Sequence, residues 1–142
     1  MRYLILIFLI LVYSCKKEEI TPSNDLQVNI KKWESLKINN YQFEYTHNCF
    51  CSEEYRGPFN IEVKNGEVYS VNGVLGNGNS MVQLPTIDSL FQFVEKSQLG
   101  NYETLTVKYD PNYGFPVDFW IDPNKMIADE EFGFSLSNFQ KK

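Results

Sequence analysis

The stretch Thr46-His47-Asn48-Cys49-Phe50-Cys51 holds the only histidine of the chain and two of its three cysteines. Two thiols one residue apart admit three kinds of chemistry. As thiolates beside the His47 imidazole, Cys49 and Cys51 make a soft donor set for Cu(I) or Zn(II). Structural zinc wants four ligands, however, and no second Cys or His pair exists beyond Cys15. Oxidised, the pair is a disulfide, which an exported chain favours. That bond needs a tight turn, since positions two apart in a flat strand lie about 7 Å from each other. Reduced and buried, the same two side chains complete an apolar core. A catalytic redox role fits least, because its usual form is Cys-x-x-Cys at a helix start, where amide dipoles lower the thiol pKa.

Other constellations carry less. Asp122, Asn124 and the run Asp129-Glu130-Glu131 gather oxygen ligands, but the glycine and spacing of a calcium loop are missing, so they read as a solvated acidic turn. Gly73-x-x-Gly76-x-Gly78 is followed by no Lys-Ser/Thr and reads as an open loop, not a phosphate cradle. There is no Gly-x-Ser-x-Gly, and along a strand His47 and Cys49 stand parallel instead of aiming base at nucleophile. No pair among the 18 acids is singled out for glycoside hydrolysis. The expectation is a chain that binds and does not catalyse, with no resident cofactor. Aromatic residues make up 15% of it, and most alternate with polar residues as core positions do. Tyr55, Tyr113 and Trp120 fall in turns or on the opposite strand face and are the candidates for an exposed contact surface.

The ends say where such a chain works. Arg2 precedes an apolar run from Tyr3 to Tyr13, about half the length a membrane-spanning helix needs, so residues 1–14 read as a secretory signal. Leu11-Val12-Tyr13-Ser14-Cys15 resembles the bacterial lipobox, in which the cysteine is lipidated and becomes the first residue. Lys16-Lys17-Glu18-Glu19 then resembles a surface-export signal of bacterial lipoproteins, and residues 15–24 form a polar, flexible tether. The expected location is the bacterial cell envelope, lipid-anchored through Cys15 to the outer membrane and open to cell-surface exposure. The net charge of −5 becomes −6 without residues 1–14, which contain one basic and no acidic side chain. That balance argues against nucleic acid and against electrostatic attachment to anionic lipid. The membrane contact rests on the acyl chains, and the partner is an envelope macromolecule.

Residues 25–142 must then position the cysteines as one domain, a length that buries a real core without disulfide staples. Asp25 can cap a helix with Leu26, Ile30 and Trp33 at helical spacing. From Tyr41 the period becomes two, with Tyr41, Phe43 and Tyr45 alternating against Gln42, Glu44 and Thr46. If the strand runs on unbroken, His47, Cys49 and Cys51 inherit the core side. Asn65-Gly66 between two alternating runs predicts a hairpin. Thr86 can cap a second helix through Ile87, Leu90, Phe91 and Val94, and three more strands follow. The order α-β-β-β-α-β-β-β with short connections predicts an α+β fold: one antiparallel sheet with two helices packed on one face.

Several of these pieces together resemble a known family. They are Trp33, Asn40-Tyr41-x-Phe43-x-Tyr45 leading into Cys49-Phe50-Cys51, Val63-x-Asn65-Gly66-x-Val68, and Thr86-Ile87-Asp88-x-Leu90-Phe91. Tyr109-Asp110-x-x-x-Gly114-Phe115-Pro116 and Ile121-Asp122 leading to Ala128-Asp129-Glu130 complete the set. It is similar to an uncharacterised bacterial envelope family, the domain of unknown function numbered six-one-seven-four, over roughly residues 30 to 137. The resemblance implies the fold and the envelope location but no activity, cofactor or catalytic residue. The leading expectation is a non-enzymatic envelope lipoprotein acting as a binding module. The alternative is a metal-handling or redox lipoprotein that uses Cys49 and Cys51.

Overall fold

The computed structural model describes residues 23–76, 78 and 83–142. The signal segment, Cys15 and most of the tether lie outside the described residues, as do positions 77 and 79–82 of the glycine-rich loop. The elements run α1 (Asn24–Leu36), β1 (Tyr41–Cys49), α2 (Glu53–Arg56), β2 (Phe59–Lys64), β3 (Glu67–Val71) and β4 (Val74–Leu75), then α3 (Ile87–Gln98), β5 (Thr104–Tyr109), β6 (Pro116–Asp122) and β7 (Phe132–Lys141).

The class is therefore mixed α+β, with seven strands in one antiparallel sheet of order β4-β3-β2-β1-β7-β6-β5. Two elements depart from the expected order. The four-residue α2 and the two-residue β4 are absent from the sequence reading, because neither is long enough to display a period. The cap of α1 also differs. Ser23 takes that place, its Oγ accepting from the Leu26 N–H at 3.3 Å, while Asp25 sits in the first turn where its charge suits the helix dipole. Thr86 caps α3 as expected, accepting from the Ser89 N–H at 3.2 Å.

Alternation in β1 is the organising feature. Tyr41, Phe43 and Tyr45 are buried while Gln42, Glu44 and Thr46 are half-buried. Asn65 and Gly66, at φ 53° and 80°, make the tight turn from β2 to β3. The middle of the sheet is the β1–β7 pair, in which His47 stands opposite Phe134 and Cys49 opposite Phe132.

Aromatic packing holds α1 and α3 in place. Trp33 of α1 meets Tyr41, Phe115 and Phe139 edge-on at 5.5, 5.8 and 6.1 Å between centroids. Its indole N–H donates to Asp88 of α3 at 3.0 Å. The Tyr41 hydroxyl, buried, accepts from the Ile87 N–H at 3.0 Å and satisfies an amide that the helix start leaves open. Phe119 and Phe134 stack at 5.2 Å, and Phe93 of α3 closes over them. Among the described residues no helix is long and apolar enough to cross a membrane.

Candidate functional site

Strand β1 stops at Cys49, so the polypeptide turns before Cys51 can share its face. Cys49 and Cys51 are joined by a disulfide with their Cα atoms 5.3 Å apart. Phe50 between them is pushed outward and is 83% exposed. The α2 turn then folds back on the strand end. The Arg56 guanidinium donates to the Cys51 carbonyl at 3.0 Å, and His47 Nδ1 lies 2.7 Å from the Tyr55 carbonyl. A carbonyl only accepts, so Nδ1 carries the proton, and the neutral ring then has its lone pair on Nε2.

This turn answers the three-way question about the cysteines in the oxidised protein. With both sulfurs bonded to each other, the set His47, Cys49 and Cys51 is a metal-ligand set only after reduction. Among the described residues no group of three or more His, Cys, Asp or Glu side chains is placed to hold a metal ion. The acidic turn after β6 is organised by its own backbone: Asp122 accepts from the Asn124 N–H and Asn124 from the Met126 N–H, each at 3.0 Å.

Beside the disulfide, on the core-facing side of β1, lies a cleft of about 380 Å³ between β1, β7 and α3. Tyr45, His47, Phe93, Phe132 and Phe134 line it together with Gln83, Leu84, Pro85, Ser89 and Leu90. The five aromatic rings touch in a closed circuit. Tyr45–His47, His47–Phe132, Phe132–Phe93, Phe93–Phe134 and Phe134–Tyr45 are 4.8, 5.9, 5.8, 6.3 and 5.8 Å apart between centroids. Phe93 is 37% exposed although it packs on three other phenyl rings, which marks the open side. Burial pushes the Tyr45 hydroxyl well above the usual phenol range, so it stays a hydrogen-bond donor at any physiological pH.

The alternate positions of the strands make a different surface. Gln42 bonds Gln140 at 2.8 Å, Glu44 accepts from Ser137 and Asn138 at 3.0 and 2.6 Å, and Lys108 pairs with Asp118 at 3.4 Å. Glu62 is held below the usual carboxylate range first by the Ser70 hydroxyl, with Lys64 and Lys142 adding to it. Trp120 lies in this polar mesh, paired across to Gly133. A Cβ on Gly133 would meet Trp120 Cε3 at 2.9 Å and collide with the Phe119 carbonyl, so the glycine leaves the room that the indole and the neighbouring strand occupy.

The three aromatic residues singled out from the sequence do not converge. Trp120 is on that mesh and 36% exposed; Tyr55 is in α2, 37% exposed, and its backbone anchors His47. Tyr113 is turned inward, 4.8 Å from Phe139 and 6.1 Å from Phe115, because Asp110 folds the β5–β6 turn back onto the core. Phe93 and Phe132 were not singled out as site residues. The signal for Phe93 was present, since it follows Leu90 by one helical turn. A second cleft, of about 440 Å³, lies between the α1 start and β5. It contains Tyr109, whose buried hydroxyl has no hydrogen-bond partner among the described residues; burial, with the Asp25 charge adding, pushes its pKa up to about 12.

Residues 25–141 match the model of a family of unknown function, DUF6174. Neither the curated proteins nor the solved structures include a match to the chain.

Proposed function

Since the chain belongs to this family of unknown function, whose description assigns no activity, we propose a role from its geometry. The chain is a lipid-anchored lipoprotein of the bacterial cell envelope, and its domain is a binding module, not an enzyme. Support for the anchor is the apolar signal ending at Ser14-Cys15 and the polar tether after it.

In this reading α1 and α3 share one face of the sheet, reached through Trp33, Ile87 and Phe93, and the other face meets an envelope macromolecule. The observation that carries it is Trp120: a large side chain left over one-third exposed, beside Gly133 and on the strand of the Lys108–Asp118 ion pair. Indoles placed so are the side chains most often found at the centre of binding energy. A paired polar surround limits non-specific charge attraction and leaves the ring as the feature to be recognised.

The test uses the lipoprotein in isolated envelopes. Cys15→Ser should move the protein to the soluble fraction. Trp120→Ala should lower recovery of the envelope partner at least tenfold with the unfolding free energy unchanged within about 0.5 kcal/mol. An unaltered partner yield from Trp120→Ala sinks the binding face, and membrane retention of Cys15→Ser sinks the anchor.

A second reading, a redox or metal-handling lipoprotein, is favoured by one observation, the disulfide lying at the surface beside exposed Phe50. It requires that the reduced pair bind Cu(I) or Zn(II) more tightly than micromolar. Weaker binding in a titration of reduced protein removes it.

A further inference from the structure

We propose that the cleft between β1, β7 and α3 is a second binding site, distinct from the Trp120 face, and that it takes a small aromatic molecule carrying a hydroxyl group. Four observations lead there. The first is size: about 380 Å³ is within the range of small-molecule sites and suits a single substituted ring. The second is the wall. Five rings packed on one another make half of the lining, and Phe93 is still 37% exposed although it packs on three other phenyl rings. A flat apolar ligand recovers that area and gains edge or offset stacking with the surrounding rings.

The third observation is the pair of polar atoms. His47 Nδ1 is committed as a donor to the Tyr55 carbonyl, which fixes the tautomer and leaves Nε2 as an acceptor. The Tyr45 hydroxyl, on a residue only 3% exposed, donates to no described residue. The two rings stand two residues apart on the same side of β1, their centroids 4.8 Å apart and at right angles. A lone-pair acceptor beside an O–H donor is matched by a group that both gives and takes one hydrogen bond. A hydroxyl does so, whereas a carboxylate offers no proton to Nε2.

The fourth is the frame. The Tyr55 carbonyl belongs to α2, which the disulfide and the Arg56–Cys51 hydrogen bond hold against the strand end. On this account the disulfide turn serves the cleft by orienting His47, making Cys49, Cys51 and Arg56 positioning residues for it.

The probes are 4-ethylphenol and ethylbenzene, which differ by the hydroxyl alone, titrated into the full chain while the His47, Phe93 and Trp120 ring signals are followed by NMR. The phenol should bind saturably and about tenfold tighter than the hydrocarbon, the worth of one hydrogen bond of about 1.4 kcal/mol. Shifts should appear at His47 and Phe93 and leave Trp120 unmoved, so that this site and the sheet-face reading fail separately. His47→Phe should close the gap between the probes while both still bind, and Phe93→Gln, at a part-exposed position, should weaken both. No saturable shift at millimolar probe, or equal affinity for the two probes in the unsubstituted chain, overturns the proposal without recourse to any variant.

Discussion

Two connections in this molecule do the same topological job by different chemistry. Each joins the first strand after a long helix to the next strand: residues 50–58 link β1 to β2, and residues 110–115 link β5 to β6. The second is closed by a single carboxylate. Asp110 Oδ1 accepts from the Asn112 and Tyr113 amides, each at 2.8 Å, while its own N–H donates to the Phe115 carbonyl at 2.8 Å. Lys32 of α1 donates to the Pro111 carbonyl, and Gly114, at φ 85°, lets the turn approach the Asn29 carbonyl, where a Cβ would stand 2.9 Å away. Its second half packs inward: Gly114 is buried, Tyr113 is half-buried, and Phe115 is 2% exposed against Trp33 and Phe139.

The first connection is held by a covalent bond and points outward. Phe50 is in solvent, α2 touches the sheet through a hydrogen bond to His47, and the cleft opens beside it. Backing by a helix decides which of the two turns is available for recognition. A turn that is packed from behind by a helix must complete the core. A turn tied by its own short bridge needs no such backing and is free to shape a site.

The contrast breaks most sharply at Phe115. Phe115→Ala should cost about 3–5 kcal/mol of unfolding free energy in urea, and a loss under about 1 kcal/mol would show that the second turn is not core. Asp110→Ala strips an acceptor from two amides and should cost about 2 kcal/mol by the same measurement, with the Tyr113 ring released. Replacing both cysteines by serine should do less to global stability, at most about 1.5 kcal/mol, since the bridge closes a very short loop. Its effect should be local and visible: the His47 signals should move and 4-ethylphenol binding should fall. If instead the serine variant unfolds as readily as Phe115→Ala, the two connections are structural alike and the comparison fails.

Much of the fold was legible because its signals are local. The period of two from Tyr41, the Asn65-Gly66 turn and the Thr86 cap each depend on residues within one or two turns of one another. The α2 turn and β4 were not, being too short for any period to register. Tyr113 misled for a related reason: a tyrosine in a turn is exposed unless the turn is folded back, and that folding depends on Asp110 together with Lys32 on a distant helix.

Sequence alone determined the mixed α+β class, the alternation that sorts β1 into two faces, and the closeness of His47 to a cysteine pair. Tertiary structure decided what that closeness means. Ending β1 at Cys49 brought the sulfurs together and took them out of the ligand set; folding α2 back placed the Tyr55 carbonyl on Nδ1; pairing β1 with β7 and laying α3 nearby supplied Phe132, Phe134 and Phe93 from 85, 87 and 46 residues further along. A hydrogen bond that fixes a tautomer and walls that close a cleft are contacts between segments far apart in the chain, and no local pattern encodes their distance.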